Sequence, residues 1–424
     1  MTSLLLFVAL PTWLTIVWRK FLTKRPAISK GSERLRSILV VRLDQLGDLV
    51  LTTPLFRELK RLHPEARITL VVPPQHKAIF TTNRNVDEIL PLQEVNAKWL
   101  PTRARQLASV LLFYWGSLRH RQFDLAISPR WDLDESLATM LCVLANAQRR
   151  AGHSTSVSPA KRRFNRGFDA AFDLVVPPAS PRHEVDRNLA VVEALGARVT
   201  DRRTEIRLTD CDRIFAAELL KHHDNRRLLV ALGIGGRAAG RKWLLDRYAE
   251  CIARLNERRL VQPVIFCSGE EDCEASALSV KLAVPPYILS GVPLRAVCAV
   301  LEKCHLFLGN DTGVAHLAAA MDCATIVVSR HPLSGDPGHA NSPARFAPCC
   351  TRQRVLQPAK GLDDCAASCC SREPHCILQV TVEQVVEAAL DFLPRPAPVS
   401  VLRPGAIASR PRPEFSRAGV AGLA

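Results

Sequence analysis

Three polar segments in this chain follow apolar runs and carry residue types that could do chemistry. Asp44-Gln45-Leu46-Gly47-Asp48 comes just after Ile38-Leu39-Val40-Val41 and leads into a helical stretch with Pro54 in its early turn. A carboxylate beside such a junction can take a proton from a substrate hydroxyl, and Gly47 permits a tight turn that brings it close. Asp48 is equally suited by position to cap the following helix.

Gly309-Asn310-Asp311-Thr312-Gly313 follows the apolar Leu306–Leu308 and opens the apolar stretch from Val314 to Met321. Free N–H groups at a helix N-terminus, together with the helix dipole, suit a diphosphate. Thr312, Gly313 and the adjacent amides would face that phosphate, whereas Asp311 suits a ribose hydroxyl or neighbouring N–H groups. His316, one turn into the helix, could donate a hydrogen bond, although an isolated helical histidine is more often packed or solvated. The third segment, Gly233 to Trp243, combines glycines with Arg237, Arg241 and Lys242, which suits a nucleotide diphosphate. The spacing of Gly233, Gly235 and Gly236 is not that of a dinucleotide fingerprint, and the first segment has only Gly47, so a dehydrogenase is disfavoured.

The elements that must position these segments alternate along the chain. Apolar runs at Ile38–Val41, Ile68–Val72 and Asp124–Ser128 read as buried parallel strands, with a helix reaching about His63 between the first two. The pattern restarts at Leu228–Leu232, with helices expected near 245–258, 274–282 and 294–303 and strands at 264–267, 306–308 and 325–328. The fold class is α/β, with two doubly wound parallel sheets in which ligands bind beyond the carboxyl ends of the strands. The junction falls between Pro177 and Thr209, and a helix from Val382 to Phe392 closes the fold.

A formal charge of +16, from 57 Lys and Arg against 41 Asp and Glu, points to an anionic partner such as phosphate, nucleotide or acidic lipid. Nucleic acid is not expected, because the basic residues are scattered and only 6% of residues are aromatic, which leaves no stacking platform. Hydrophobic residues at 47% and charged residues at 23% exclude a wholly disordered chain and a polytopic membrane protein. The apolar run from Leu4 to Trp18 is interrupted by Pro11 and is short of the roughly 20 residues of a spanning helix. No basic segment precedes it and no small-residue cleavage site follows, so a signal peptide fits poorly. With Arg19, Lys20, Lys24 and Arg25 behind it, residues 1–36 read as a membrane-associating segment and linker that keeps the body cytoplasmic. Residues 394–424, rich in Pro and Arg without periodicity, read as a disordered tail.

Of the 14 cysteines, those from Cys142 to Cys323 are spaced singly through apolar segments and are expected as core thiols. The rest crowd between Cys349 and Cys376. Cys365, Cys369, Cys370 and Cys376 could ligate zinc, but their spacing is not a standard paired knuckle, and free or locally paired thiols are favoured.

Arg42-Leu43 through Gly47-Asp48, with Thr52-Thr53-Pro54-Leu55, resembles the N-terminal signature of glycosyltransferase family nine, the ADP-heptose:lipopolysaccharide heptosyltransferases. Gly309 to Gly313 with His316-Leu317-Ala318-Ala319-Ala320 is similar to that family's donor-binding signature. His183-Glu184-Val185 with Asn188-Leu189, and Arg241-Lys242-Trp243, fall in the family's order, so the likeness covers roughly residues 37 to 393.

The resemblance implies two Rossmann-like domains facing a cleft, the GT-B type. Residues 37–205 would form an N-terminal acceptor domain, and 206–393 a C-terminal nucleotide-sugar domain with the Cys-rich segment and closing helix. It implies inverting transfer of heptose from ADP-heptose to a lipopolysaccharide core or related anionic glycolipid at the cytoplasmic face of the inner membrane. Asp48 matches the catalytic Asp, Asp44 and Gly47 fall in the acceptor loop, and Arg241, Lys242, Asp311, Thr312, Gly313 and His316 match donor-binding positions. No cofactor is required, since Arg241, Lys242 and the helix terminus can supply a positive field for the departing diphosphate.

Some positions depart from the family pattern. Arg241 stands where Lys is usual, Asp44 where Ser or Thr is, Gly233-Ile234-Gly235 where His-Pro-Gly is frequent, and Ser329-Arg330 near a usual Phe-Gly. Competing readings are a non-catalytic sugar-nucleotide or glycolipid binder, which the presence of Asp48 argues against, a family member using another nucleotide sugar, and a metal-dependent redox protein built on the cysteines, which leaves the polar loops unexplained.

Overall fold

Ser37–Val41 (β1) is made almost wholly of Ile, Leu and Val, and Ile38 to Val41 are fully buried, as a central parallel strand covered on both faces requires. In the computed structural model, which describes residues 34–97, 99–178, 183–362 and 365–395, β1 is the centre of a six-stranded sheet. Its companions are β2 (Arg67–Val72), β3 (Glu88–Pro91), β4 (Phe123–Ser128), β5 (Ala147–His153) and β6 (Leu174–Val176). The order is β3-β2-β1-β4-β5-β6, all parallel, with Val40 opposite Leu70 on one side and Ile127 on the other.

The second sheet repeats the plan. Its strands are β7 (Leu228–Gly233), β8 (Val261–Cys267), β9 (Tyr287–Ser290), β10 (Leu306–Asn310), β11 (Ala324–Val328) and β12 (Gln353–Leu356). They run β9-β8-β7-β10-β11-β12, again all parallel, with Leu308 between Leu232 and Ile326. The doubly wound α/β class expected from the apolar runs is therefore present twice. In each half the winding reverses beside the first strand, leaving a crevice between β1 and β4 and another between β7 and β10.

The helix expected to run to His63 is two pieces, Leu46–Val50 and Thr53–Leu62, separated at Leu51-Thr52. Pro54 lies in the first turn of the second piece, where its missing N–H costs nothing. The helix Leu46–Val50 packs on Gly313–Ala320 of the second half, and one apolar cluster runs from Val40 and Leu49 through Ala315 and Leu317 to Phe307. The two signature segments are thus brought together by a shared core.

Cys142, Cys251, Cys298, Cys304 and Cys323 are core thiols as expected, but Cys267 is half-buried at the end of β8, and Cys211 and Cys273 are exposed on helical surfaces. Single spacing in an amphipathic helix does not say which face a residue takes. No helix among the described residues is long and apolar enough to cross a membrane. The N-terminal apolar segment and the tail beyond residue 395 lie outside the described residues.

Candidate active site

The polar segments emerge where the two windings reverse. The end of β1 delivers Arg42, Asp44 and Asp48, and the end of β4 delivers Arg130; the end of β7 leads to Arg241, and the end of β10 to Asp311 and Thr312. Apart from the buried Arg42, these residues line one open cleft of about 1550 Å³. A pocket for one small ligand is about 300–1,000 Å³, so this cleft has room for two substrates at once.

Asp48 lies in the first turn of Leu46–Val50, whose N-cap is Gln45, and the next helix is capped at Thr52. Asp48 caps neither helix. Its carboxylate belongs instead to a charge cluster built on Arg42, whose side chain is wholly buried. Arg42 Nη2 lies 3.1 Å from Glu184 Oε1 and 3.5 Å from Asp48 Oδ1, and its Nε lies 2.9 Å from Asp44 Oδ2. Arg130 Nη1 takes the other Asp44 oxygen at 3.0 Å, and Arg187 Nη1 sits 3.5 Å from Glu184. The Arg42–Asp44 contact is close but not aligned as a hydrogen bond, so it acts mainly through charge.

This arrangement separates two carboxylates. Burial alone would raise Glu184, but Arg42, Arg130 and Arg187 outweigh it and hold it down at about 2. For Asp48, burial and then the Asp44 charge dominate, with Arg42 pulling the other way, and the carboxyl is pushed up to about 6. Glu184 is a permanent anion that fixes Arg42. Asp48 is a base poised near neutrality on the cleft wall.

A pH dependence follows. A base with a pKa near 6 is protonated and idle below it, so kcat/KM should fall as pH drops through about 6 and level off above it. Asp44→Asn removes a neighbouring negative charge that raises Asp48, so the acid limb should move to lower pH. Initial rates of the two proteins from pH 5 to pH 9 check this, and an acid limb that stays put or moves upward would remove Asp44 from control of the base.

Gly47 does something other than the expected tight turn, since its φ is not among the positive ones. A Cβ on Gly47 would come within 2.7 Å of the His316 ring, and one on Gly313 within 2.9 Å of Leu46. Both glycines allow the two signature helices to touch. His316 is buried, its Nδ1 has no hydrogen-bond partner, and burial with nearby His183 lowers it to about 3. It stands as a neutral imidazole at the join of the two halves, facing the cleft.

On the second side Asn310 ties the segments together. Its Nδ2 donates to Ile234 O and Gly235 O, both at 2.9 Å, while its Oδ1 accepts from Trp243 N at 2.9 Å and Tyr248 Oη at 3.1 Å. All of its side-chain capacity is used in setting the β7 loop against β10. Asp311 follows it. Burial raises its carboxyl against the pull of Arg241 and Arg330. Thr312 is the N-cap of Gly313–Ala320 but makes no side-chain capping bond, which leaves its hydroxyl for a ligand.

Arg241 reaches the cleft and donates to Asn341 Oδ1. Lys242 turns away, with its Nζ 2.8 Å from Glu274, and is not among the residues lining the cleft. Arg241 ends the short 3-10 turn Ala239–Arg241 and Lys242 is its extended C-cap, so the chain changes direction between the two cations and only Arg241 is presented to the cleft. The amide of Gly236 is held by Glu271 at 3.1 Å, so this amide of the glycine-rich loop is already engaged.

Sequence reasoning gave no role to Arg42 or Glu184 and did not single out Arg130. Arg130 carried a signal, because it follows directly on an apolar strand ending beside β1. Glu184 lies 142 residues from Arg42, and nothing local in either stretch shows the pairing.

Comparison with known proteins agrees with this geometry. The family model for glycosyltransferase family 9 (heptosyltransferase) matches residues 113–330. The chain is 22% identical over 299 residues to the lipopolysaccharide core heptosyltransferase OpsX of Haemophilus influenzae, covering 70% of this chain and 79% of that one. Among solved structures it is similar to a family 9 glycosyl transferase from Veillonella parvula, with a TM-score of 0.67 at 20% identity over 86% of this chain and 99% of that one. It is also similar to the Escherichia coli heptosyltransferase WaaC with ADP, with a TM-score of 0.62 at 16% identity over 84% of this chain and all of that one (100%). Two doubly wound halves sharing a cleft are the GT-B architecture, and the family match makes the chain a glycosyltransferase of that type. The chain belongs to glycosyltransferase family 9.

Proposed function

We propose that this enzyme transfers a heptose from ADP-heptose to a hydroxyl of a lipopolysaccharide core or related anionic glycolipid, with inversion at the anomeric carbon. The observation that carries the reading is the placement of Asp48, a raised-pKa carboxylate, on the same cleft as the Asp311–Gly313 helix start. Asp48 takes the proton from the acceptor hydroxyl as its oxygen attacks the anomeric carbon through an oxocarbenium-like transition state. Arg241 and the first-turn N–H groups of Gly313–Ala320 face the departing diphosphate, and the transfer needs no metal cofactor in this scheme. The names of the relatives, an OpsX heptosyltransferase and a WaaC with ADP, support the choice of sugar and nucleotide.

Release of ADP from ADP-heptose, with a panel of other nucleotide sugars run alongside on truncated lipopolysaccharide, tests the proposal. Turnover with ADP-heptose above the others is expected. Preference for another donor overturns the heptose assignment, and no turnover with any donor leaves a binding protein.

In calorimetry with ADP, Asp311→Ala and His316→Ala should each weaken binding by about tenfold, the worth of one charge-assisted contact, with a smaller effect on acceptor KM. Unchanged ADP affinity in both variants would sink the donor-loop assignment.

We also place the enzyme at the cytoplasmic face of the inner membrane, on the strength of Leu4 to Trp18 and the basic residues behind it. Deleting residues 1 to 28 should abolish sedimentation with anionic vesicles and spare turnover on a water-soluble acceptor fragment. A truncated protein that still binds vesicles fully would move the attachment to the body.

A further inference from the structure

We infer that Cys365, Cys369, His375 and Cys376 form a structural zinc site that braces the donor side of the cleft. The four ligand atoms all lie within 4.8 Å of one another. His375 Nδ1 is 3.4 Å from Cys376 Sγ, 3.7 Å from Cys365 Sγ and 4.0 Å from Cys369 Sγ. Zn–S bonds of about 2.3 Å and a Zn–N bond of about 2.0 Å give tetrahedral edges of roughly 3.5–3.8 Å, so the group is already near the size of a filled shell. Cys370, which the spacing had offered as a ligand, is exposed and stands apart, and His375 takes the place expected for it.

The setting is that of a structural site. Cys365, Cys369 and Cys376 are buried against one another in a cluster separate from the cores of the two sheets, and none is in a disulfide. They lie between β12 and the closing helix Val382–Phe392, in a stretch whose only regular element among the described residues is the short turn of helix Cys376–Gln379. A segment that long with no apolar core of its own needs a crosslink to hold one shape. Leu362 N sits 3.4 Å from Cys376 Sγ, the kind of N–H contact that supports a thiolate ligand. Closing all four positions with protein ligands leaves none for water, which separates this site from a catalytic one. Binding deprotonates the three thiols, releases those protons to solvent and involves no change of oxidation state.

What the segment holds explains why a rigid staple belongs there. Arg372 O accepts from Gly240 N at 2.7 Å, and Ser371 O accepts from Arg330 Nη1 at 3.0 Å. The fit is tight, since a Cβ on Gly240 would come within 2.2 Å of Ser371 O. Ala367 O accepts from Asp336 N at 2.8 Å, and Ser368 Oγ lies 3.1 Å from His331 Nδ1. The cluster thus fixes the backbone on which Arg241 is carried, and the ligands are positioning residues. This last step rests on the donor-site reading above. The ligation itself does not.

Metal analysis of the full-length chain from zinc-supplemented medium is the test, with ADP calorimetry as a second, separate readout. About one zinc per chain is expected, falling below about 0.2 in Cys369→Ser and His375→Ala and unchanged in Cys370→Ser. Should those variants fail to fold, cobalt exchanged into the wild-type protein should show thiolate-to-metal absorption of a tetrahedral site. Chelation of the wild-type protein should weaken ADP by about tenfold, and added zinc should restore it. Absence of metal from the wild-type chain, a disulfide among these cysteines, iron in place of zinc, or equal loss of zinc in Cys370→Ser overturns the site. Zinc present with ADP affinity indifferent to chelation overturns only its bracing of the donor wall.

Discussion

Asp48→Asn is expected to lower kcat by about two to four orders of magnitude, the usual worth of a positioned general base, while ADP affinity stays as in the wild type. The amide keeps the shape of the carboxylate and removes its basicity. The change should be tolerated by the surrounding charges, because Arg42 Nη2 is 3.5 Å from Asp48 but 3.1 Å from Glu184, and its Nε is 2.9 Å from Asp44. Arg42 therefore keeps its two nearer partners. The donor side is separate: Asp311, Thr312 and Arg241 come from the second sheet, and no described side-chain bond links them to Asp48. Single-turnover rates with saturating donor, set beside ADP calorimetry, measure the two effects independently. A variant that transfers at the wild-type rate would leave Asp48 as one more charge in the cluster and would move the base elsewhere.

Arg42→Met should have a larger effect on the protein and a different one on the chemistry. Arg42 is fully buried beside Asp44, Asp48 and Glu184, and its removal leaves three carboxylates with Arg130 and Arg187 as their nearest remaining cations. Breaking a buried ion pair from one side costs about 3–5 kcal/mol, enough to bring an ordinary domain close to unfolding. Thermal or denaturant unfolding followed by circular dichroism reads this directly. Where the variant folds, the loss of a charge that holds Asp48 down should raise the Asp48 pKa further above about 6, and the acid limb of the rate profile should move upward. Asp44→Asn moves the same limb the other way. Arg42→Lys keeps one charge without the planar fork that serves three partners, and should fall between wild type and Met in both readouts. An Arg42→Met protein with wild-type stability and an unmoved acid limb would contradict the cluster.

Much of the fold is legible in the chain because both sheets are parallel and buried on both faces, which makes their central strands continuous apolar runs. Ile38–Val41, Leu228–Leu232 and Leu306–Leu308 show this, and the helices Leu294–Lys303 and Val382–Phe392 have the bounds their patterns predict. The second of these helices opens on a capping box between Thr381 and Gln384, a local signal. β5 is the counter-example. Ala147–His153 reads Ala-Gln-Arg-Arg-Ala-Gly-His and has no strand signature, yet it is buried in the sheet. Arg150 lies there because its guanidinium donates to Cys142 O at 3.0 Å and Ala145 O at 3.2 Å, and His153 because its Nε2 meets Arg187 O at 3.0 Å. Those partners exist only in the folded chain.

The site divides in the same way. The sequence by itself determined which segments carry chemistry: a carboxylate after β1, a small-residue helix start after β10, and a set of cysteines late in the chain, all recognisable from residue type and local spacing. Tertiary structure alone decided what each does. It set Asp48 beside Asp44 and half-buried in the cleft wall, so that its carboxyl rises toward neutrality while Glu184, of the same chemical kind but fully buried, stays ionised beside three arginines. It turned Lys242 to Glu274, set Gly47 against His316, and put His375 rather than Cys370 among the thiols. The reason is one of range. Residue type and spacing report the backbone within a turn or two, whereas a pKa, an ion pair or a ligand shell depends on groups far away in the chain, 142 residues for Arg42 and Glu184, that only the packed sheets bring within a few ångströms.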